Sequence, residues 1–147
     1  MGQGALLSTP AASHLIRLNQ TDGGIILSAS HNPGGPNADF GLKYNGPNGG
    51  PATESVTDKI YARTRTIDAY KIAAADKVDL NKIATSSVEN MKVEIVDPVT
   101  DYAALMQTLF DFDKIRALFA GGFSMCFDAM HAVTGPYAHT ILEDTLG

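Results

Sequence analysis

The pattern of apolar and polar positions predicts three short strands and a helix in the first third of the chain. Residues 5–8 and 24–27 are mostly apolar runs of a length typical of strands, and residues 41–44 are a further short segment that we expect to be a strand. Between the first two runs, Thr9 can cap and Pro10 can begin a helix. The apolar side of this helix is formed by Leu15, Ile16 and Leu18. Strand, helix and strand at this spacing predict a βαβ unit, and therefore an α/β sheet with helical cover.

The middle of the chain changes from helical periodicity to none, and then to a strand. Residues 51–66 place apolar side chains at helical spacing. The side chains expected to face inward are Val56, Ile60 and Tyr61. From 67 to 90 the periodicity is poor, which predicts a short helix and an irregular surface segment. Residues 93–96 are expected to form a buried strand.

Residues 98–147 contain several predicted helices but only one run with strand character, at 123–127. The helices are predicted over 98–109, 114–119 and 136–146. One strand cannot form a sheet by itself. Residues 1–97 are therefore expected to belong to a first α/β domain, and 98–147 to be the opening of a second.

Composition argues against two classes of protein. The 147 residues carry a net charge of −5 and no run of lysine or arginine, which argues against binding to nucleic acid. No stretch approaches the roughly 20 apolar residues that cross a bilayer, so we expect a cytoplasmic protein without membrane attachment. Cys126 is the single cysteine, which excludes an intrachain disulfide, and we expect it to be a small buried residue.

Candidate chemistry concentrates where the apolar run 24–27 leads into a polar, glycine-rich loop. Ser30 places a hydroxyl beside the imidazole of His31, and Gly34 and Gly35 let backbone amides approach a ligand closely. A turn that only satisfies its own backbone groups is the alternative for a Ser-His-Asn-Pro sequence. The local pattern leaves both interpretations open.

The order of motifs along the chain resembles the α-D-phosphohexomutase family. The motifs are SASHNPGGPN at 28–37, DFGLKYN at 39–45 and DAMHAVTGPY at 128–137. The first looks like the phosphoserine loop of that family, and its length is most similar to the phosphoglucomutase branch. Members have four domains. The resemblance therefore implies part of the first domain, a mixed sheet with helices on both faces, followed by the beginning of a second, similar α/β domain.

The resemblance also implies roles for individual residues. Ser30 would carry a phosphoryl group, and His31 would either exchange protons or brace the loop. Lys43 would act in acid/base catalysis, whereas without the family it would be a solvated lysine at the end of a strand. The residues that would shape the loop and contact phosphate are Asn32, Gly34 and Gly35. Mg²⁺ would bind one oxygen of phosphorylated Ser30, and its three aspartate ligands would come from a loop that this chain does not contain.

The implied reaction interconverts glucose 1-phosphate and glucose 6-phosphate, with glucose 1,6-bisphosphate as activator and intermediate. It is expected of a longer protein, monomeric or dimeric, that binds a phosphosugar, and this stretch alone is expected to be inactive. Two alternatives stay open. The chain could be a non-catalytic structural or phosphosugar-binding piece, or part of a mutase for another hexose phosphate such as mannose phosphate.

Overall fold

The strands of the protein pair in two short antiparallel sheets, and helices make up most of its remaining regular structure. The computed structural model describes residues 1–147. The chain divides into two compact units, which we name the hairpin unit (residues 12–75) and the core unit (residues 1–11 and 76–147). Together the helices and sheets confirm the α/β class.

The hairpin unit is built on strands β1 (Gly24–Leu27) and β2 (Leu42–Asn45), which pair antiparallel with Ile26 opposite Lys43. Helix α1 (Thr9–Leu18) contributes its C-terminal part to this unit. There Ile16 is buried, and its side chain lies so close to Gly24 that a Cβ at this glycine would be 2.7 Å from it. The close approach of helix and strand therefore depends on a residue without a side chain.

Helix α2 (Glu54–Thr64) confirms the helix predicted over 51–66, but the prediction of its buried face is wrong. None of its residues is buried. The side chains expected to face inward are exposed, with fractional exposures of 39% for Val56, 42% for Ile60 and 64% for Tyr61. Helical spacing identifies the apolar side of a helix, but it does not supply a surface that covers that side.

The core unit contains strands β3 (Thr85–Val88) and β4 (Met91–Glu94), which form an antiparallel hairpin. The predicted strand over 93–96 is confirmed in part, because β4 ends at Glu94 and Val96 continues only as an isolated parallel bridge to Gly2. The strand β3 lies in the region where we expected irregular structure and a short helix. Its sequence, Thr-Ser-Ser-Val, carries one apolar residue and gives no strand signal of its own.

The core of this unit lies between helices α1 and α3 (Thr100–Leu109) and the C-terminal helix. It consists of four buried residues, Ala11, Val99, Ala103 and Tyr137. Tyr137 packs edge to face on Tyr102, with ring centroids 5.5 Å apart and an angle of 81° between the rings. Its hydroxyl accepts the N–H of buried Ser8 at 3.0 Å. Tyr137 therefore joins apolar packing to the hydrogen bond that the Ser8 backbone requires.

The remaining helices follow the sequence closely. Helix α4 (Phe112–Ala120) contains the helix predicted over 114–119 and ends before Gly121 and Gly122, and helix α5 (Gly135–Ala138) continues into a π-helix, His139–Thr145. Asp111 caps α4 by accepting the N–H of Lys114 at 3.0 Å. This bond from the backbone of Lys114, together with the contact of the Lys114 ammonium at 3.0 Å, holds the pKa of the Asp111 carboxyl below its usual range. No helix of the protein has the length and apolar character needed to cross a membrane.

Three further sequence expectations are wrong. Residues 5–8 are not a strand, because the chain forms a 3₁₀ turn (Gln3–Ala5) and then enters α1, so no βαβ unit forms. Residues 123–127 are not a strand, because no other segment pairs with them. Cys126 lies within this unpaired segment and is exposed instead of buried. The division into domains at residue 97 stays a prediction.

Candidate functional site

The hairpin of β1 and β2 extends beyond its last strand residues to the point where the Ser30 loop begins. The N–H of Ser28 donates to the carbonyl of Gly41 at 2.9 Å, and the N–H of Gly41 donates back to Ser28 at 3.1 Å. The loop between these two residues starts and ends at one reciprocal pair of backbone hydrogen bonds. Ser30 lies two residues beyond this fixed point, which limits the positions that its hydroxyl can reach.

Ser30 has a backbone conformation that is uncommon for a residue with a side chain. Its φ is 60°, in the left-handed region, which costs about 1–2 kcal/mol for a residue other than glycine. The conformation is supported by its own N–H, which donates to the hydroxyl oxygen of Ser28 at 2.9 Å. The Ser30 hydroxyl oxygen is exposed and lies 3.4 Å from Nδ1 of His31. The predicted pair of hydroxyl and imidazole is thus in contact.

Asp39 holds the far end of the loop against its beginning. Its carboxylate accepts a hydrogen bond from the side-chain amide of Asn32 at 2.7 Å. Its N–H donates to the carbonyl of Pro33 at 3.0 Å, and it forms an isolated parallel bridge with Gly34. Gly35 follows with a φ of 141°, a conformation that side chains rarely adopt. Of the predicted loop residues, Asn32 and Gly34 therefore contact one partner, Asp39.

A small open cavity of about 200 Å³ lies at the surface of this loop. Its lining residues are Ser28, Ala29, Ser30, Asn32, Asp39, Phe40 and Gly41. Lys43 does not line it, and the structure gives the Lys43 side chain no hydrogen bond or ion pair. Lys43 is exposed on β2. The structure therefore brings Ser30, His31, Asn32 and Gly34 together around one loop and leaves Lys43 on the adjoining strand.

The oxygen donors around Ser30 do not fit a complete site for a divalent cation. Mg²⁺ requires octahedral coordination by oxygen. Asp39 supplies the one carboxylate of the cavity, and this carboxylate is already hydrogen-bonded to Asn32. No group of three or more histidine, cysteine or acidic residues is arranged to bind a metal anywhere in the chain. A metal ion at Ser30 would need most of its ligands from outside these residues.

Ser28 and Asp39 are the site residues that sequence reasoning missed. Both lie within the quoted motifs, but the motifs only identify the loop and do not say which side chains close it. A serine in a turn commonly accepts the backbone N–H two residues further on, whatever residue stands there. That signal was present for Ser28. No local signal pairs Asp39 with Asn32, seven residues earlier.

Comparison with known proteins matches the chain to one family. Residues 1–71 match the model of phosphoglucomutase/phosphomannomutase, alpha/beta/alpha domain I. Over all 147 residues the chain is 60% identical to a phosphoglucomutase of Rhizobium radiobacter, of which it covers 27%. It is 49% identical to a chloroplastic phosphoglucomutase of Arabidopsis thaliana and covers 24% of that protein. The chain thus spans about a quarter of the length of these curated relatives.

A solved structure is similar over the whole chain. It is the open form of the exocytosis-sensitive phosphoprotein pp63/parafusin, a phosphoglucomutase from Paramecium. The TM-score is 0.92 and the sequence identity is 44%, with 100% of this chain and 29% of the Paramecium chain covered. The similarity therefore extends past the segment that the family model matches and includes the core unit.

Proposed function

Because the chain belongs to the phosphoglucomutase/phosphomannomutase family, we propose that it supplies the phosphate-carrying serine of a phosphoglucomutase. The observation that carries the proposal is the placement of Ser30. Its hydroxyl is exposed at the end of a paired strand, in a left-handed conformation, and 3.4 Å from an imidazole nitrogen. An accessible oxygen held in a strained backbone is typical of functional sites.

The proposed reaction interconverts glucose 1-phosphate and glucose 6-phosphate by two transfers. In the first, a sugar hydroxyl oxygen forms a bond to phosphorus while the bond from phosphorus to the Ser30 oxygen breaks. The sugar hydroxyl loses its proton, and the Ser30 oxygen is left to take one up. The bound intermediate is then glucose 1,6-bisphosphate. In the second transfer the Ser30 oxygen loses its proton and forms a bond to the other phosphorus of this intermediate, while the bond from that phosphorus to the sugar oxygen breaks. The sugar oxygen takes up a proton, which returns the phosphoenzyme and releases the product.

His31 and Lys43 are the proton-handling groups of this proposal. Nδ1 of His31 is close enough to exchange a proton with the Ser30 oxygen. Lys43 is assigned to the sugar hydroxyl, because it is the exposed cation of the strand that pairs with β1. We assign Asn32 and the amides of Gly34 and Gly35 to the shape of the loop and to contacts with phosphate.

Mg²⁺ also belongs to the proposal, although the residues present do not form its site. When bound, such an ion neutralises charge on the transferring phosphoryl group. Phosphorylated Ser30 would contribute one oxygen, and the other ligands would come from the parts of the relatives that this chain does not cover. The whole reaction, a cytoplasmic location and a monomeric or dimeric state are therefore proposed for a longer protein.

A second candidate is a non-catalytic structural or phosphosugar-binding piece. It is favoured by the openness of the loop, since residues 31–40 are all exposed. Phosphoryl transfer needs charge neutralisation and exclusion of water from the reacting groups. A mutase for another hexose phosphate, such as mannose phosphate, stays an alternative, and the length of the serine loop is the feature that favours the phosphoglucomutase branch over it.

Labelling of the chain with glucose 1,6-bisphosphate tests the proposal. One added phosphate on the peptide that contains Ser30, found by mass spectrometry after incubation, would show that the chain retains the transfer to Ser30 although the whole reaction needs a longer protein. Ser30→Ala is expected to abolish the label. Ser124→Ala removes another exposed serine hydroxyl, which has no hydrogen bond, and is expected to change nothing. Label at other residues, or equal label in Ser30→Ala, would contradict the role of Ser30. No label in any variant would favour the second candidate.

A further inference from the structure

We propose that Ser28 and Asp39 are positioning residues that fix the Ser30 loop from its two ends. The inference rests on the proposed function only in the sense that the loop is the phosphate carrier. Neither residue is assigned a role by the motifs or by the comparisons. Each makes one short side-chain hydrogen bond, and each bond has its other partner in the segment 30–32, where the chemistry is proposed.

Ser28 fixes the backbone at the reacting residue. Its hydroxyl oxygen accepts the N–H of Ser30 at 2.9 Å, at the point where the chain adopts the left-handed conformation. Ser28 itself is held on both its N–H and its carbonyl by Gly41. The position of Ser30 relative to the paired strands is therefore fixed by a single side chain, that of Ser28. Loss of this bond leaves the Ser30 N–H without a protein partner and removes the support for its conformation.

Asp39 fixes the other end by a charge-assisted bond. At 2.7 Å, its carboxylate is close to the shortest distance typical of an N–H donor and a carboxylate. The contact closes the loop across seven residues and uses one amide hydrogen of Asn32. The backbone bond from Asp39 to Pro33 closes the same turn.

The two bonds predict a shared effect on phosphoryl transfer. In-line displacement depends on where the attacking or leaving oxygen lies, and small misplacements reduce the rate strongly. A loop released at either end should keep the hydroxyl and the imidazole but lose their fixed placement. Ser28 and Asp39 are therefore expected to act through Ser30 and Asn32, without touching the substrate.

Four variants of the full 147-residue chain test this, with Asn37→Ala as the control. Ser28→Ala and Asp39→Ala remove the acceptors, while Ser28→Thr and Asp39→Asn keep an oxygen in each place. Asn37 lies in the same loop and its side chain makes no hydrogen bond. Two readouts are spectroscopic, amide exchange at Ser30 and the NMR signal of the Asn32 side-chain amide, both on ¹⁵N-labelled protein. The third readout is the rate of phosphate incorporation from glucose 1,6-bisphosphate.

We expect Ser28→Ala to raise the exchange rate of the Ser30 amide about fivefold, the effect of one net hydrogen bond, and Ser28→Thr to restore it. Asp39→Ala is expected to shift the NMR signal of the Asn32 side-chain amide to the position of a free amide. Asp39→Asn is expected to leave this signal at the position of a hydrogen-bonded amide. Unchanged spectra in both alanine variants, or no recovery in the conservative variants, would overturn the inference.

The labelling readout separates this inference from the proposed function. If the wild-type chain takes up phosphate, Ser28→Ala and Asp39→Ala should take it up more slowly. Ser28→Thr, Asp39→Asn and Asn37→Ala should take it up at the wild-type rate. Equal rates in all of them would overturn the positioning role while the phosphate carrier stands. If the wild-type chain takes up none, the proposed function fails for this chain, and the two spectroscopic readouts still decide whether Ser28 and Asp39 fix the loop.

Discussion

Replacement of Asp97 is predicted to destabilise the core unit through the start of helix α3. One carboxylate oxygen of Asp97 accepts three hydrogen bonds, from the N–H of Val99 at 2.8 Å, the N–H of Thr100 at 2.7 Å and the hydroxyl of Thr100 at 2.9 Å. Pro98 and Val99 lie between Asp97 and Thr100, the first residue of α3, and Pro98 has no N–H that needs an acceptor. The Asp97 side chain therefore caps the entrance to the helix, and Val99 and Ala103 beside it lie in the core.

The expected magnitude follows from the bonds that are lost. Asp97→Ala removes the acceptor for two backbone N–H groups, and loss of a capping side chain costs about 0.5–2 kcal/mol of unfolding free energy. With a urea slope of about 2 kcal/mol/M, the midpoint should fall by roughly 0.25–1 M. Asp97→Asn keeps an oxygen acceptor and should lose much less, because asparagine and aspartate cap helices about equally well.

The pH dependence adds an independent test. Burial raises the pKa of Asp97, but the hydrogen bonds from Thr100 and Val99 outweigh it and hold the pKa below its ordinary value of 3.8. Because the folded-state pKa is the lower one, the ionised carboxylate stabilises the fold fully above the unfolded value. This contribution is lost as the pH falls through the folded-state pKa. The advantage of the wild type over Asp97→Asn should therefore shrink below about pH 4.

The assay is urea denaturation followed by tyrosine fluorescence and circular dichroism. The chain has no tryptophan, so tyrosine emission is not masked. Tyr102 on α3 packs against Tyr137 and reports on the capped helix directly. An Asp97→Ala midpoint equal to that of the wild type at pH 7 would refute the capping argument. A wild-type advantage over Asp97→Asn that grows below pH 4 would refute the assigned direction of the pKa shift.

Three other substitutions have outcomes that the packing determines. Ile95 is almost fully buried, and Ile95→Ala should lower the unfolding free energy in urea by about 2–5 kcal/mol. Tyr137→Phe leaves the buried N–H of Ser8 without its acceptor and should cost about 1–3 kcal/mol in the same assay, with an unchanged midpoint speaking against that bond. Gly49→Ala places a Cβ on the carbonyl of Ser13 at a φ of 78°, so its circular dichroism melting temperature should fall, whereas a rise would show that the turn relaxes freely.

The sequence predicts local structure well where a single segment decides it. The strand β1 is predicted at its observed residues, because an apolar run between a turn and a polar loop has few other conformations. The end of α4 at a pair of glycines is decided locally in the same way. Burial and pairing are less predictable, because they depend on a second surface. Residues 123–127 have strand character but no partner, and Val56 has helical spacing but no covering layer.

In the candidate site, too, the sequence predicts what one segment decides and misses what depends on a contact with another. Ser30 and His31 are adjacent in the chain, so the motif places them together whatever the rest of the fold does. Asp39 joins the site through contacts across the loop, and its side-chain bond to Asn32 depends on the turn that the backbone makes between Pro33 and Asp39. A motif can therefore locate the reacting group while leaving out the side chains that fix its position.

The register of the hairpin gives a physical reason for the separation of Ser30 and Lys43 in the sequence. Ser28 pairs with Gly41 and Ile26 with Lys43, and residues paired in this way share a face of the sheet. Ser28 and Lys43 are then diagonal neighbours on one face, about 7–8 Å apart, which is within reach of long side chains. A shift of one residue in the pairing would move Lys43 to the opposite face. The acid/base role proposed for Lys43 therefore depends on the pairing that also anchors Ser28, and the positions of the proposed base and phosphate carrier are set by the same hydrogen bonds.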